Sequence, residues 1–139
     1  MESKKLVIEL FKSNVWANDS IQEVFKPHDI SMQQFNVLRI LRGQKGNPAN
    51  LSDIQERMIS KMSNTTRLVD KLIAKGLTSR VTCPNNRRKV NITITKKGLA
   101  LLDVIDPILE KHEKEMTDAL TKEEKIKLTS LLLKMKKND

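Results

Sequence analysis

The sequence predicts a mainly helical chain that carries one small β-hairpin. Helical periodicity extends over most of its length, and one short stretch alternates strictly between apolar and polar residues. The positive charge is also concentrated in one segment. With 139 residues, of which 38% are hydrophobic, we expect a single domain spanning residues 1–139.

The basic segment lies between Arg57 and Lys97. It contains eleven Lys or Arg and a single acid, Asp70, whereas the rest of the chain has 15 basic and 16 acidic residues. A localised basic patch is expected of a protein that binds a polyanion. All four aromatic residues precede this segment, so it has no rings on which unpaired bases could stack. We therefore expect double-stranded DNA as the partner.

Composition argues against several other classes of protein. The longest uninterrupted apolar run is Leu99–Leu102, so we expect no membrane span and a cytoplasmic location. A single cysteine is incompatible with an internal disulfide framework or a cysteine-built zinc site. Two distant histidines and the lack of clustered acids leave no catalytic or metal constellation, so we expect neither an enzyme nor a cofactor.

The first predicted helix spans residues 4–26. Its apolar residues cover about 200° of the helix, which is wider than a one-sided stripe. The second helix begins at Ser31, whose Ser-x-x-Gln spacing is typical of a capping box, and runs to about Arg42. A third, short helix is predicted over Leu51–Met58, with Asn50 or Ser52 as its cap.

A fourth helix is predicted after a brief connection over residues 59–62. Its apolar face is expected to contain Met62, Thr65, Leu68, Val69, Leu72 and Ile73. The other side offers hydroxyl, amide and cationic groups, which are the groups that reach base edges and phosphates: Ser63, Asn64, Thr66, Arg67 and Lys71. Two short helices joined by a tight turn form a helix-turn-helix, in which this is the recognition helix.

The hairpin follows Gly76, with strands expected over Leu77–Cys83 and Val90–Thr95. The connection carries three consecutive cations, Arg87, Arg88 and Lys89, which suit a phosphate backbone or a narrow minor groove. Taken alone, such a run is more often a solvated basic loop. After a recognition helix we favour DNA contact, which makes the motif a winged helix-turn-helix.

Two helices complete the chain. Thr95 is expected to cap a long fifth helix that kinks at Pro107 or breaks just before it. His112 lies within its apolar stripe, either as a hydrogen-bonded core residue, which we favour, or as a responsive group at an interface. Thr121 opens a final helix whose apolar residues cover about 220°. Both ends of the chain are too apolar to be covered by one chain, which predicts a homodimer.

The order of these parts resembles the MarR family of bacterial winged-helix transcription regulators. The resemblance extends over about residues 6–136 and depends on an ordered set of short stretches: Gln34–Leu38, Leu51–Ile54, Met62–Leu72, Lys75–Leu77 with Arg80, and Arg87–Arg88 leading to Ile94–Gly98. It implies a winged lobe over about residues 31–98 and dimerisation helices over about 4–26 and 99–137. It also implies two lobes on a pseudo-palindromic DNA site and, commonly, repression that is relieved by a small molecule or an oxidant.

Carried over by position, the five polar residues of the fourth helix face the major groove, and Arg87 or Arg88 enters the minor groove. The wing of the family usually reads Asp-x-Arg, but Asn86 stands at the acid's place, so the wing is either more mobile or more positive. Cys83 lies among arginines that would lower the pKa of its thiol, although a plain strand-end residue is the favoured interpretation. An effector cavity is expected between the first, second and fifth helices.

Two hypotheses of different class follow. The first is a dimeric, sequence-specific regulator that occupies a DNA site which RNA polymerase needs. Its response to a ligand is implied only by the resemblance to the family. The second is an architectural or protein-interaction module that does not read sequence. The hydroxyl and amide groups of Ser63, Asn64 and Thr66 favour the first, because a purely electrostatic binder needs only Lys and Arg.

Overall fold

A computed structural model describes the backbone of residues 1–83 and 86–137, and the side chains of these residues except 83 and 86–89. Six α-helices and three strands are present in this part of the chain. The helices are α1 (Glu2–Phe25), α2 (Met32–Gly43), α3 (Leu51–Arg57), α4 (Thr65–Ala74), α5 (Lys96–Met116) and α6 (Lys122–Met135). The strands are β1 (Ala49–Asn50), β2 (Thr78–Cys83) and β3 (Asn86–Ile94), and a 3₁₀ turn, Lys26–His28, links α1 to α2. The predicted fold class is confirmed.

Side chains cap most of the helices as the sequence predicts. The capping boxes at Ser31 and Thr121 are both formed, and the Thr95 hydroxyl accepts a hydrogen bond from the amide of Gly98. At α3 the cap is Asn50, whose side chain accepts from the amide of Asp53 at 2.8 Å. These bonds satisfy amides at the helix starts that have no partner within the helix.

The antiparallel sheet has the order β1-β3-β2. Strand β3 begins at Asn86, four residues earlier than expected, so the backbone of Arg87, Arg88 and Lys89 belongs to a strand and not to the hairpin connection. The prediction of a turn through Lys89 is therefore wrong, because turn-forming residues and a run of charges do not exclude a strand. β1 was not predicted; Ala49 pairs with Ile92, and this closes the loop after α2 onto the sheet.

The hydrophobic core lies in the winged lobe, beneath α2, α4, β3 and the first half of α5. Its most buried large side chains are Phe25, Leu38, Leu41, Ile54, Leu72, Ile92, Leu102 and Ile105. In α4, Thr65, Val69 and Leu72 are buried as expected, but Met62 is 95% exposed. Its assignment to the core is wrong because α4 begins only at Thr65, so Met62 precedes the helix.

Helix α5 joins the lobe to the terminal helices. It continues through Pro107 as one helix, so the predicted break before Pro107 is wrong. Toward its end, the ring Nε2 of His112 lies 2.9 Å from the Ser20 hydroxyl of α1, which confirms a hydrogen-bonded and half-buried histidine. Over the residues described, no helix reaches the combination of length and apolarity that crossing a membrane would require.

The first turn of α5 makes the closest approach to the sheet, at Gly98. A Cβ atom at this position would lie 2.4 Å from the carbonyl oxygen of Leu77 and 2.7 Å from Cγ1 of Ile94. That carbonyl already accepts the amide of Thr95 at 3.1 Å, so it has little freedom to move. A residue without a side chain is therefore required here.

Gly98→Ala is expected to lower the free energy of unfolding by about 1–3 kcal/mol, because the new methyl group forces the helix away from the Leu77 carbonyl. Gly43→Ala is the matched control, since nothing lies within 4 Å of its Cβ position. We expect the control to be unchanged or more stable by up to about 1 kcal/mol. Urea denaturation measures both, and equal stability of the two variants would contradict the packing argument.

Candidate nucleic-acid interface

The turn between α3 and α4 is held by side chains from two other elements. The Asn36 side-chain oxygen, on α2, accepts the amide of Ile59 at 2.9 Å. On α3, the Gln55 side chain donates to the carbonyl of Lys61 and accepts from the hydroxyl of Thr65. These bonds connect the turn and the first residue of α4 to the body of the lobe. The recognition helix is therefore positioned before any partner arrives.

The first turn of α4 is capped by Asn64. Its side-chain oxygen accepts a hydrogen bond from the amide of Arg67 at 3.2 Å. The Asn64 amide group is exposed and remains on the outer side of the helix start. Asn64 is predicted to contact DNA, and in the structure it caps α4.

The predicted contact residues of α4 share one open surface. Asn64, Thr66, Arg67 and Lys71 are exposed, and Ser63 is half-buried beside them. A groove between the start of α2 and α4 carries four cations: Lys26, Arg67, Lys71 and Lys75. Among the contacts of the described residues, neither Arg67 nor Lys71 pairs with an acid. Both charges are therefore available to an anionic partner.

The single acid of the basic segment connects α4 to the wing. Asp70 lies 2.7 Å from the guanidinium of Arg80 on β2, and both side chains are about half exposed. Such an exposed pair contributes at most about 1 kcal/mol to stability. It links α4 to β2 and offsets the negative charge of Asp70 on this surface.

The wing places the basic run on β3, which pairs with β2 from Thr78–Ile94 to Thr82–Val90. An irregularity follows at Cys83, which pairs with Asn86. The side chains of Cys83, Asn86, Arg87, Arg88 and Lys89 lie outside the described residues. The minor-groove contact, the effect of Asn86 and the reactivity of Cys83 therefore remain predictions.

Sequence reasoning missed three residues that support this surface. The sequence does not indicate the roles of Asn36 and Gln55, because both bind a turn whose path the sequence does not specify. Lys75 donates to the carbonyl of Asp29, which has a positive φ of 53°, and so ties the end of α4 to the turn before α2. The sequence indicates this turn only through Pro27, His28 and Asp29, which interrupt the helical pattern.

A second, shallower cleft lies on the other side of Lys75. It has a volume of about 440 Å³ and is lined by His28, Lys75 and Lys97 together with apolar side chains of Leu77, Leu101 and Val104. Lys97 donates to the carbonyl of Lys75 at 2.9 Å, so this cleft contacts the end of α4 directly. The predicted cavity was between α1, α2 and α5. Two of these three helices are linked by an ion pair, because Arg42 of α2 contacts Asp106 of α5 at 2.5 Å.

Helices α3 and α4 are joined by the connection 58–64 and followed by a paired hairpin, which defines a winged helix-turn-helix of the DNA-binding class. The profile of the MarR family matches residues 30–90. The chain is 31% identical over 131 residues to the HTH-type transcriptional regulator MhqR of Bacillus subtilis, covering 94% of this chain and 89% of MhqR. The chain belongs to the MarR family of transcriptional regulators.

Two further similarities agree with this assignment. The homoprotocatechuate degradative operon repressor of Escherichia coli is 26% identical over 127 residues, covering 91% of this chain and 84% of the repressor. A crystal structure of an E. coli MarR mutant in complex with operator DNA superposes with a TM-score of 0.84 at 26% identity. That superposition covers 96% of this chain and 95% of the MarR chain.

Gln55→Ala is expected to loosen the turn before α4, because the carbonyl of Lys61 and the hydroxyl of Thr65 lose their partner. The cost of the lost bonds is about 1–2 kcal/mol. Hydrogen–deuterium exchange should show faster exchange of the amides in residues 59–67. Gln22→Ala, which removes an exposed glutamine of α1, should leave exchange in this segment unchanged. Equal exchange in both variants would mean that Gln55 does not position the turn.

Proposed function

We propose that the protein is a sequence-specific regulator that binds double-stranded DNA and represses transcription. The observation that carries the proposal is the outer surface of α4, on which Asn64, Thr66, Arg67 and Lys71 are exposed together on a helix held by Asn36 and Gln55. Ser63 stands beside them, and Arg87, Arg88 and Lys89 add charge from the wing. Repression is inferred from the similar operon repressor and is steric: the bound protein covers DNA that polymerase requires.

The chemistry of this surface favours reading of sequence over general attraction to DNA. A guanidinium forms paired bonds with guanine, an amide does so with adenine, and hydroxyl groups bond either edge. The cations around them, Lys26 and Lys75, suit phosphates, which position the protein without reading bases. An architectural module would need only the second kind of group.

Arg67→Ala should weaken binding to the specific site about a hundredfold or more and bring it close to the affinity for unrelated DNA, since the homodimer loses one paired contact of about 1–3 kcal/mol in each half-site. The measurement is fluorescence anisotropy with duplex from the region upstream of the gene and with a scrambled duplex, at two salt concentrations. Lys127→Ala, which removes an exposed cation of α6, should bind as the wild type does.

For the wild type we expect a preference of about a thousandfold or more for the specific duplex, retained at the higher salt. Equal binding to both duplexes that disappears as salt rises would instead support the architectural module. Retained site preference in Arg67→Ala would remove α4 from the proposed reading surface.

We also propose that the protein acts as a homodimer on a pseudo-palindromic site. Helix α1 leaves large apolar side chains in solvent, including Phe11 at 70% exposure, and α6 contains no buried residue. Exposed apolar surface on this scale marks an interaction site. A second copy of the chain would carry the same surfaces and would place two recognition helices about 34 Å apart on the duplex.

Helix α6 has two apolar stripes on opposite sides. One consists of Leu128, Leu131, Leu132 and Met135, and the other of Ile126 and Leu133. Because both stripes are exposed to a large extent, a single partner helix cannot cover them. Interlocking of the terminal helices of two chains covers both, which supports a dimer in which α6 lies between elements of both protomers.

Leu131→Asp is expected to shift the protein from dimer to monomer, because it places a charge within the wider stripe, where burial is costly without a partner. Sedimentation velocity measures the shift over a range of protein concentrations. Ile59→Asp is the control, because Ile59 is also an exposed apolar residue but lies in the winged lobe. A dimer that persists in Leu131→Asp and a monomeric wild type would each contradict the proposal.

An effector is proposed to act at the junction of the lobe and the terminal helices. The cleft beside His28, Lys75 and Lys97 combines polar and apolar groups; Asp29 also lines it and lies 3.8 Å from the Lys75 ammonium, so Lys97 is the cation that suits a small organic anion there. Because Lys75 and Lys97 contact the end of α4, a ligand there would shift the recognition helix relative to α5. The separation of the two lobes, and hence the fit to DNA, would change with it.

A further inference from the structure

Two large apolar side chains are exposed on the turn that precedes the recognition helix. Met62 is 95% exposed and Ile59 is 82% exposed, the highest values among the large apolar residues of the described chain apart from those of Met1. The backbone that carries them is fixed, because Asn36 binds the Ile59 amide and Gln55 binds the Lys61 carbonyl. The turn therefore presents these side chains in a defined place.

Met62 lies at the leading end of the recognition helix. It directly precedes Ser63 and stands two residues before Asn64, the cap of α4. The amide of Ser63 donates to the carbonyl of Ser60 at 3.2 Å, which closes the turn and turns the chain into the helix. In a helix-turn-helix, the N-terminal residues of the second helix are those that contact base edges in the major groove. A side chain this exposed is accessible to DNA that binds at that end of the helix.

The chemistry of Met62 selects its target within the groove. Its thioether side chain is apolar, flexible and polarisable, so it adapts to a small apolar group but gives no hydrogen bond to a base edge. Among the four base pairs, the C5 methyl of thymine is the apolar group that the major groove displays. Burial of the exposed methionine against this methyl removes apolar surface of both partners from water.

We propose that Met62 contacts the C5 methyl group of a thymine and thereby specifies one T·A base pair in each half-site. This rests on the proposed function, since it requires that α4 bind in the major groove of a specific site. Asn64, Thr66, Arg67 and Lys71 line a shared surface of α4 that supplies the polar and phosphate contacts, and Met62 lies two residues before its N-terminal end. Met62 supplies the apolar contact that distinguishes thymine from cytosine, which has no methyl group.

Ile59 provides a matched control within the same turn. It borders a small crevice with Met58 and Asn36, on the side of the turn that faces α2. Met62 does not line this crevice. Removal of the Ile59 side chain therefore deletes a comparable exposed apolar group without touching the end of the turn that leads into α4.

The test replaces each thymine of the specific duplex, one at a time, by deoxyuridine, which lacks only the C5 methyl. At two symmetry-related positions, one in each half-site, we expect the wild type to lose about three- to fivefold in affinity, which is the value of one buried methyl group. Met62→Ala should bind the unmodified duplex more weakly by a similar or larger factor and should show no further loss at those positions. Met62→Leu, which keeps an apolar side chain, and Ile59→Ala should retain the loss.

The outcomes separate this inference from the proposed function. A site preference in the wild type, combined with a deoxyuridine scan that is identical for wild type and Met62→Ala, overturns the thymine contact alone. If the effect of deoxyuridine at those positions disappears in Ile59→Ala and persists in Met62→Ala, the contact belongs to Ile59 and the inference is also overturned. A wild type without preference for any duplex overturns the proposed function, and the inference with it.

Discussion

The arrangement of the molecule depends on the packing of α5, which is shared by the winged lobe and the terminal helices. Leu102 and Ile105 are fully buried in the lobe, and one turn later Leu109 remains buried. Its start is fixed by Gly98, whose missing side chain allows the helix to lie on the carbonyl of Leu77. Since Leu77 follows the C-terminal end of α4, this contact and the hydrogen bond from Lys97 to the carbonyl of Lys75 attach α4 to α5. Hydrophobic burial thus sets the orientation of the whole reading surface.

Polar contacts also link the elements that hydrophobic packing brings together. Arg42 and Asp106 connect α2 to α5, Ser20 and His112 connect α1 to α5, and Asp70 and Arg80 connect α4 to the wing. Each of these pairs joins two elements, and each is at least partly open to solvent, so none of them contributes much to global stability. Their effect is on direction: a weak pair with one preferred geometry can be rearranged at little cost when a ligand or DNA arrives.

The sequence predicts the helices and the site where chemistry is local, and fails where contacts are distant. Ser31, Thr95 and Thr121 cap helices because their partners are three residues away, and α4 presents Arg67 and Lys71 because helical periodicity places them opposite Val69 and Leu72. Periodicity alone could not show that α4 starts at Thr65, so Met62 was assigned to the core. Gln55 and Asn36 bind a turn whose path depends on three helices, and β1 exists only because Ala49 meets Ile92.

The two opposite apolar stripes of α6 have a consequence for regulation. If the chain reaches a stable DNA-binding form only when two copies interlock, the concentration of that form depends on the square of the chain concentration while dimers are scarce. Occupancy of the operator would then rise more steeply with expression than it would for a monomeric binder. The apolar surface of α6 would in this way do more than complete a dimer interface. It would set a threshold in gene dosage, below which polymerase still has access to the gene under its control.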